Sequence, residues 1–321
     1  MIKQIVSIVL FLIWFIYSSY GLITPALFIR QEDFMVKIIK NVFQNLVMYM
    51  IKYGFEPNIY YNGEIKLEEN KVNILISNHI GSIDGFMLLT ILKYFNIDNW
   101  NVVGKKELIY LPGIGTLFMF GKDIKLERIW ELDKITIEKQ LNNINDGILI
   151  IFPEGTRFEP TKHKEGQQFS IENNLPIYDN LLVPKSKGLM TICNHLKKNN
   201  KLGKIIDLSF ILPSFLGKSA NMNDLLKKEM GNVYLMIRDL NYDNGDFKEW
   251  LLNEWKIKDN LITNYRNFIY KKMDYKVNLM ILLVSLFFTI SVTIKLINNE
   301  NMRYFMILSI IVTYIITYIT S

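Results

Sequence analysis

The stretch Val72-Asn73-Ile74-Leu75-Ile76-Ser77-Asn78-His79-Ile80-Gly81-Ser82-Ile83-Asp84 decides the reading of this chain. Its first six residues are a short, mostly apolar run that reads as a buried strand, and Gly85–Phe95 has the longer apolar pattern of a following helix. Side chains just past such a strand project into the crevice at the carboxyl end of an α/β sheet, and His79 holds that place. Working outward, Trp100–Gly104, Gly147–Phe152, Leu181–Pro184 and Ile205–Phe210 read as further strands, and Asp133–Asn143 as a helix. Strands alternating with helices between Asn58 and Lys272 predict an α/β domain, a mixed sheet flanked by helices.

The two ends are of another kind. Half of the 321 residues are hydrophobic and mean hydropathy is +0.14, with the excess concentrated outside the middle. Ile5–Phe28 has no charged residue, and a span needs about 20 such residues. The run exceeds the apolar region of a signal peptide, about 7–15 residues, so residues 1–30 read as an uncleaved membrane anchor. Asp33–Tyr53 repeats apolar residues at helical spacing (Phe34, Ile38, Val42, Leu46), interrupted by Lys37, Lys40 and Lys52. Residues 31–57 thus form an amphipathic helix and linker, with two places open to it: the membrane surface or the face of the middle domain. At the other end, Val277–Ile294 and Tyr304–Ile319 are joined by the short polar link Lys295–Arg303, which predicts a transmembrane hairpin over residues 273–321. Lys271, Lys272 and Lys276 before the hairpin give a modest vote for a cytosolic middle domain.

Net charge is +6 and the isoelectric point about 9.0. The basic residues are spread out, without the stripe or zinc-finger spacing of a nucleic-acid binder; anionic lipid headgroups account for the sign. A single cysteine, Cys193, excludes a disulfide framework, and no metal site is indicated.

His79 in its neutral form can take up a proton near pH 7. Asp84, five residues on, can reach the other ring nitrogen across a tight turn, fix the tautomer and stabilise the imidazolium. Asp84 is equally placed to cap the Gly85–Phe95 helix, with Ser82 as the other candidate. No G-x-S-x-G elbow accompanies the pair, so the simplest nucleophile is a hydroxyl of the substrate. About seventy residues later comes Phe152-Pro153-Glu154-Gly155-Thr156-Arg157. Gly155 permits a positive φ or a close backbone approach, and Arg157 offers a planar fork suited to phosphate oxygens. A surface ion pair of Arg157 with Glu154 or Glu159 is the other reading of that arginine.

His79-x4-Asp84 followed by Phe152–Arg157 resembles the glycerolipid and lysophospholipid acyltransferase family, which includes the 1-acylglycerol-3-phosphate acyltransferases. Two more blocks stand in order: Arg128-Ile129-Trp130-Glu131-Leu132-Asp133, similar to the family's arginine block, and Leu182-Val183-Pro184-Lys185-Ser186-Lys187-Gly188, similar to its proline block. The resemblance covers roughly residues 70–190. The segment before Arg128, Gly121–Glu127, is more charged than in many relatives. The resemblance implies His79 and Asp84 as the catalytic pair. It implies substrate binding by Arg128, Glu154, Gly155, Thr156 and Arg157, with Pro184 in a block that helps to hold the acyl chain. The implied reaction transfers a fatty acyl group from acyl-CoA to the hydroxyl of a lysophospholipid, 1-acyl-sn-glycerol 3-phosphate above others, with backbone amides near the Gly81 or Gly155 turns as oxyanion donors. Acyl-CoA is a co-substrate and no bound cofactor is called for. The expected partners are acyl-CoA, a lysophospholipid and the bilayer, with no nucleic acid, and no motif assigns an oligomeric state. The expected place is the endoplasmic reticulum membrane, catalytic domain toward the cytosol. Competing expectations are a different lysophospholipid acceptor, a CoA-independent transacylase, and an inactive lipid-binding scaffold.

Overall fold

The computed structural model describes residues 32–277, apart from positions 112–113, 222, 225–226, 228–229 and 243–244, together with Met280. Helix α1 (Glu32–Tyr49) widens at its end into a π turn over Met50–Phe55. There follow β1 (Asn58–Asn62), β2 (Val72–Ser77), α2 (Asp84–Tyr94), β3 (Trp100–Lys105), α3 (Ile114–Phe120), β4 (Ile124–Leu126), α4 (Trp130–Leu141) and β5 (Gly147–Ile151). The second half adds α5 (Pro160–Glu172), α6 (Ser186–Lys198), β6 (Leu202–Ile211), β7 (Asn232–Leu240), α7 (Phe247–Thr263) and β8 (Lys271–Lys272).

Among the described residues the strands form one mixed sheet in the order β4-β3-β5-β2-β6-β7-β1-β8. The first five run parallel, β7 is antiparallel to β6, and β1 is parallel to β7. The carboxyl ends of β2, β3, β4, β5 and β6 therefore share one edge. β2 lies between β5 and β6 and every one of its residues is buried, as an interior strand covered on both faces must be. Its alternation sorts the core. Leu75 points to the face covered by α1, α2 and α3, while Ile74 and Ile76 point to the face covered by α4, α6 and α7. Each such buried aliphatic side chain contributes about 1.5–3 kcal/mol.

Of the two places open to the amphipathic helix, the structure gives the face of the domain. Ile39, Phe43, Leu46, Val47 and Ile51 are buried in the same core as α2 and the sheet. Lys40, which interrupts the apolar pattern, is 5% exposed. Its ammonium donates to Trp100 O (2.7 Å) and Asn101 Oδ1 (3.0 Å) and lies 3.7 Å from Asp123. Asp123 in turn accepts from Val102 N at 2.7 Å, so a charge of the departing segment before Arg128 serves to fasten α1 to the sheet. Met273 and Tyr275 join this core from the other end.

The expected strand at Leu181–Pro184 is irregular loop. The amides just ahead of it, Asp179 and Asn180, donate to the carboxylate of Asp259 on α7 (2.8 Å each). Lys185 N donates to Pro153 O at 2.8 Å, and Pro184 has no N–H to offer a ladder. Strands β1, β4, β7 and β8 had not been expected.

Among the described residues no helix is long and apolar enough to cross a membrane. The apolar runs 5–28, 277–294 and 304–319 lie outside those residues, Val277 and Met280 excepted.

Candidate active site

The site begins where β2 ends. Asn78 clamps the chain to β6, its side chain donating to Phe210 O (2.9 Å) and accepting from Phe210 N (2.8 Å). The next residue is His79, whose Nδ1 lies 2.7 Å from Asp84 Oδ2. A carboxylate can only accept, so Nδ1 carries the proton and Nε2 keeps its lone pair. The imidazole side chain is 20% exposed and the Asp84 carboxyl 1%: the base reaches solvent and its partner does not. Phe152 stacks on the imidazole with ring centroids 4.3 Å apart, fixing the ring plane from the β5 side.

Asp84 does not cap a helix. It is the first residue of α2, and the capping position, Ile83, makes no side-chain capping bond. The carboxylate instead turns back over the loop, Oδ2 also accepting from Gly81 N at 3.0 Å. It still sits in the first turn of α2, where the helix dipole favours a negative charge. Gly81 is required by a close approach. A Cβ there would fall 1.6 Å from Ala220 O, and the Ser82 amide donates to that same oxygen at 3.2 Å. The 79–84 turn is thus held by β6 on one side and by the Ala220 segment on another.

The second motif follows β5, the parallel neighbour of β2. Gly155 takes a φ of 69° and its amide donates to Phe152 O at 2.9 Å. Gly81 N, Ser82 N and Gly155 N are therefore all engaged, which removes these three amides as free oxyanion donors. Thr156 Oγ1 accepts from Lys162 Nζ at 3.0 Å, and Lys162 also pairs with Glu159 at 2.8 Å. Arg157 is exposed. Phe158 N closes the loop onto His79 O at 2.7 Å, so the two motifs are stitched together by backbone.

Of the residues expected to hold substrate, Glu154 is turned inward. It is 2% exposed, and its Oε2 accepts from His79 N at 3.4 Å. Burial raises its carboxyl well above the usual carboxylate range, an effect opposed by the Lys258 ammonium and by the His79 amide. A buried carboxyl beneath His79 is a poor ligand for phosphate and a good support for the turn. Pro184 is buried in the loop bonded to Pro153, and the Lys185 side chain that follows lies against Gly155, with Nζ 3.6 Å from where a Cβ would stand. Lys187 lies 5.8 Å from the Trp130 ring centroid, which brings the proline block beside the start of α4 and hence beside Arg128.

Arg128 follows β4, three strands from β2 along the shared edge. It is exposed and holds a left-handed φ of 65°, a conformation that costs a residue with a Cβ about 1–3 kcal/mol. The turn is pinned by Glu127 N donating to Asp133 Oδ1 at 2.7 Å. The structure brings His79, Asp84 and Glu154 into one cluster, lays Gly155, Thr156 and Pro184 around it, and sets Arg128 and Arg157 on the rim.

Sequence reasoning missed the groups beneath the cluster. Lys258 and Trp255 reach it from α7, and Asp207 and Arg238 lie on β6 and β7. One signal was present: Leu251, Trp255, Lys258 and Ile262 recur at spacings of three and four, which places the lysine on the buried stripe of its helix. Among the described residues no three His, Cys, Asp or Glu side chains are grouped to hold a metal ion.

A partly exposed histidine with a buried carboxylate behind it, on the carboxyl edge of a mainly parallel sheet, can serve general base chemistry. Residues 58–173 match the family model described as Acyltransferase. The probable 1-acyl-sn-glycerol-3-phosphate acyltransferase 5 of Arabidopsis thaliana is 28% identical over 224 residues, 65% of this chain and 57% of that one. Human 1-acyl-sn-glycerol-3-phosphate acyltransferase gamma is 27% identical over 199 residues, 59% of this chain and 52% of that one. The chain spans about half the length of the curated relatives it matches. Among solved structures, the 1-acyl-sn-glycerophosphate (LPA) acyltransferase PlsC from Thermotoga maritima aligns with 84% of this chain and all of its own, at a TM-score of 0.48 and 15% identity.

Proposed function

We propose that the protein transfers a fatty acyl group from acyl-CoA to the free hydroxyl of a lysophospholipid at a membrane, with 1-acyl-sn-glycerol 3-phosphate as acceptor and phosphatidic acid as product. The observation that carries the reading is the 2.7 Å bond between His79 Nδ1 and Asp84 Oδ2. With Nδ1 committed, Nε2 accepts the hydroxyl proton as the oxygen attacks the thioester carbonyl. Asp84 stabilises the imidazolium. Collapse of the tetrahedral intermediate breaks the C–S bond, and the imidazolium returns its proton to the departing CoA sulfur. General base assistance of this kind contributes typically about 10²–10⁴-fold.

Arg157 and Arg128 bind the acceptor's phosphate on the rim, and the similarity to 1-acyl-sn-glycerol-3-phosphate acyltransferases supports 1-acyl-sn-glycerol 3-phosphate as that acceptor. Exposure suits this role, because a planar guanidinium that is not already paired can take two phosphate oxygens at once. The apolar runs of the chain ends provide the anchor that lets an amphiphilic acceptor be taken from a leaflet and its product returned. The site requires no metal or bound cofactor for this chemistry.

The test is CoA release by the full chain in detergent, with oleoyl-CoA and a panel of lysophospholipids, and mass spectrometry of the product. Release that depends on 1-acyl-sn-glycerol 3-phosphate, with phosphatidic acid formed in equal amount, is the expected result. Release with another lysophospholipid alone moves the acceptor, and acyl exchange without CoA points to a transacylase. No turnover by folded protein with any acceptor overturns the reading.

A further inference from the structure

Under the dyad runs a chain of buried charges that the reaction as written does not use. Glu154 Oε1 is buried without a hydrogen-bond partner, and so is the indole Nε1 of Trp255. The indole faces Glu154 from α7 without closing a well-formed bond. One turn further on, Lys258 is 0% exposed. Its ammonium lies 2.6 Å from Asp207 Oδ1, donates to Leu208 O at 3.3 Å, and stands 4.3 Å from the Trp255 ring centroid. Asp207 Oδ2 is held by Arg238 through Nη2 (2.7 Å) and Nε (3.2 Å), and Arg238 Nη2 lies 3.2 Å from Glu254 Oε2.

The sheet register explains the placement. Asp207 pairs with Ile76 and Leu208 with Ser77, and His79 is only two residues beyond Ser77. The ammonium is thus delivered to the floor of the catalytic turn, where Asp207 is already engaged by Arg238. Burial lowers the pKa of Lys258, and Asp207 and then Glu154 oppose that fall. A buried ammonium without a counter-charge is strongly disfavoured, and Lys258 has Asp207 at 2.6 Å with Glu154 as a further acidic neighbour.

We infer that Lys258, assisted by the Trp255 indole, is a positioning residue for acyl transfer: it holds the Glu154 side chain in place beneath the His79–Asp84 turn. Glu154 then supports the His79 amide. Without the ammonium, the buried carboxyl loses its cationic neighbour and the support is lost. This rests on the acyl-transfer reading of the same site.

A double-mutant cycle between Lys258→Met and Glu154→Gln, in the full chain, separates this role from a purely structural pairing of Lys258 with Asp207. Lysophospholipid-dependent CoA release gives kcat and KM, and thermal unfolding gives Tm. Lys258→Met lowers kcat about tenfold or more, with KM for both substrates within about twofold, and Lys258→Arg recovers part of the loss. In the Glu154→Gln background the same change costs less than about twofold, because no carboxyl remains to be held. Equal losses in both backgrounds, or an unchanged kcat in Lys258→Met, overturn the inference.

If Lys258→Met does not fold, Trp255→Phe, which removes only the N–H and the smaller ring of the indole, runs the same cycle: its loss in kcat must vanish when Glu154 is Gln, and an equal loss overturns the inference. If the wild type shows no acyl transfer, the proposed function fails by itself. The Tm cycle still decides the coupling, with non-additive shifts expected and additive shifts contradicting it.

Discussion

The floor and the rim of the site are built on opposite terms. On the floor, His79, Asp84, Lys258 and Asp207 are fixed by short bonds, Glu154 accepts from His79 N at 3.4 Å, and all but the imidazole are shut away from water. On the rim, Arg128 and Arg157 are exposed, the first on a strained backbone. On the proposed reading, the floor holds groups whose protonation is settled before substrate arrives, and the rim holds cations that exchange water for the acceptor's phosphate. Preorganisation by burial therefore belongs to the proton chemistry, and accessibility belongs to capture.

The comparison can be broken first on the floor. Asp84→Asn puts an amide where the carboxylate held the Nδ1 proton, and can hold the ring in the wrong tautomer. A fall in kcat of about 10²–10⁴-fold is expected, with KM for the phosphorylated acceptor little changed. A loss confined to KM contradicts the assignment of Asp84 to the floor.

On the rim the expected effect is smaller and of another kind. Arg157→Ala removes a charge-assisted bond of about 1.5–3 kcal/mol, which is about a 10- to 150-fold rise in KM for 1-acyl-sn-glycerol 3-phosphate. The KM for acyl-CoA stays put. Titrations of both substrates check this, and a change confined to acyl-CoA counts against the role. Arg128→Gly sharpens the point because it relieves the left-handed φ. Tm should rise or hold while acceptor binding weakens, and a gain in both would show that Arg128 serves only the turn.

The smallest effect lies away from the site. Cys193 is buried on α6, and burial pushes its thiol up to about 12 from an ordinary value of 9.0. A raised folded-state pKa means that the native state favours the thiol, so this contribution to stability is complete below about pH 9 and declines as pH rises toward 12. Native protein at pH 8 should resist iodoacetamide, and protein in urea should react at once. Rapid alkylation of the native form would place Cys193 at the surface.

Much of this was legible in the sequence where one residue type had one reading. β2 and β5 are apolar runs bounded by turn residues, and the His79–Asp84 spacing closed as expected. Readings failed where a charge was buried. Lys40 interrupts the apolar pattern of α1, yet it bonds to Trp100 O in the core. β7 went unseen although Val233–Ile237 is an uninterrupted apolar run; its pairing partners lie on β6 and β1. Arg238 is satisfied by Asp207, the residue directly opposite on β6, a cross-strand pair that no local pattern reveals. Pro184 closes an apolar run that mimics a strand, but the donors ahead of it go to Asp259, about eighty residues away. In each case the deciding partner is distant in sequence.

The most direct test of the central claim is the kcat of His79→Ala for lysophospholipid-dependent CoA release, measured on protein whose Tm matches the wild type. The account predicts that turnover falls to the background of the uncatalysed mixture. Wild-type turnover in a folded His79→Ala protein would contradict it.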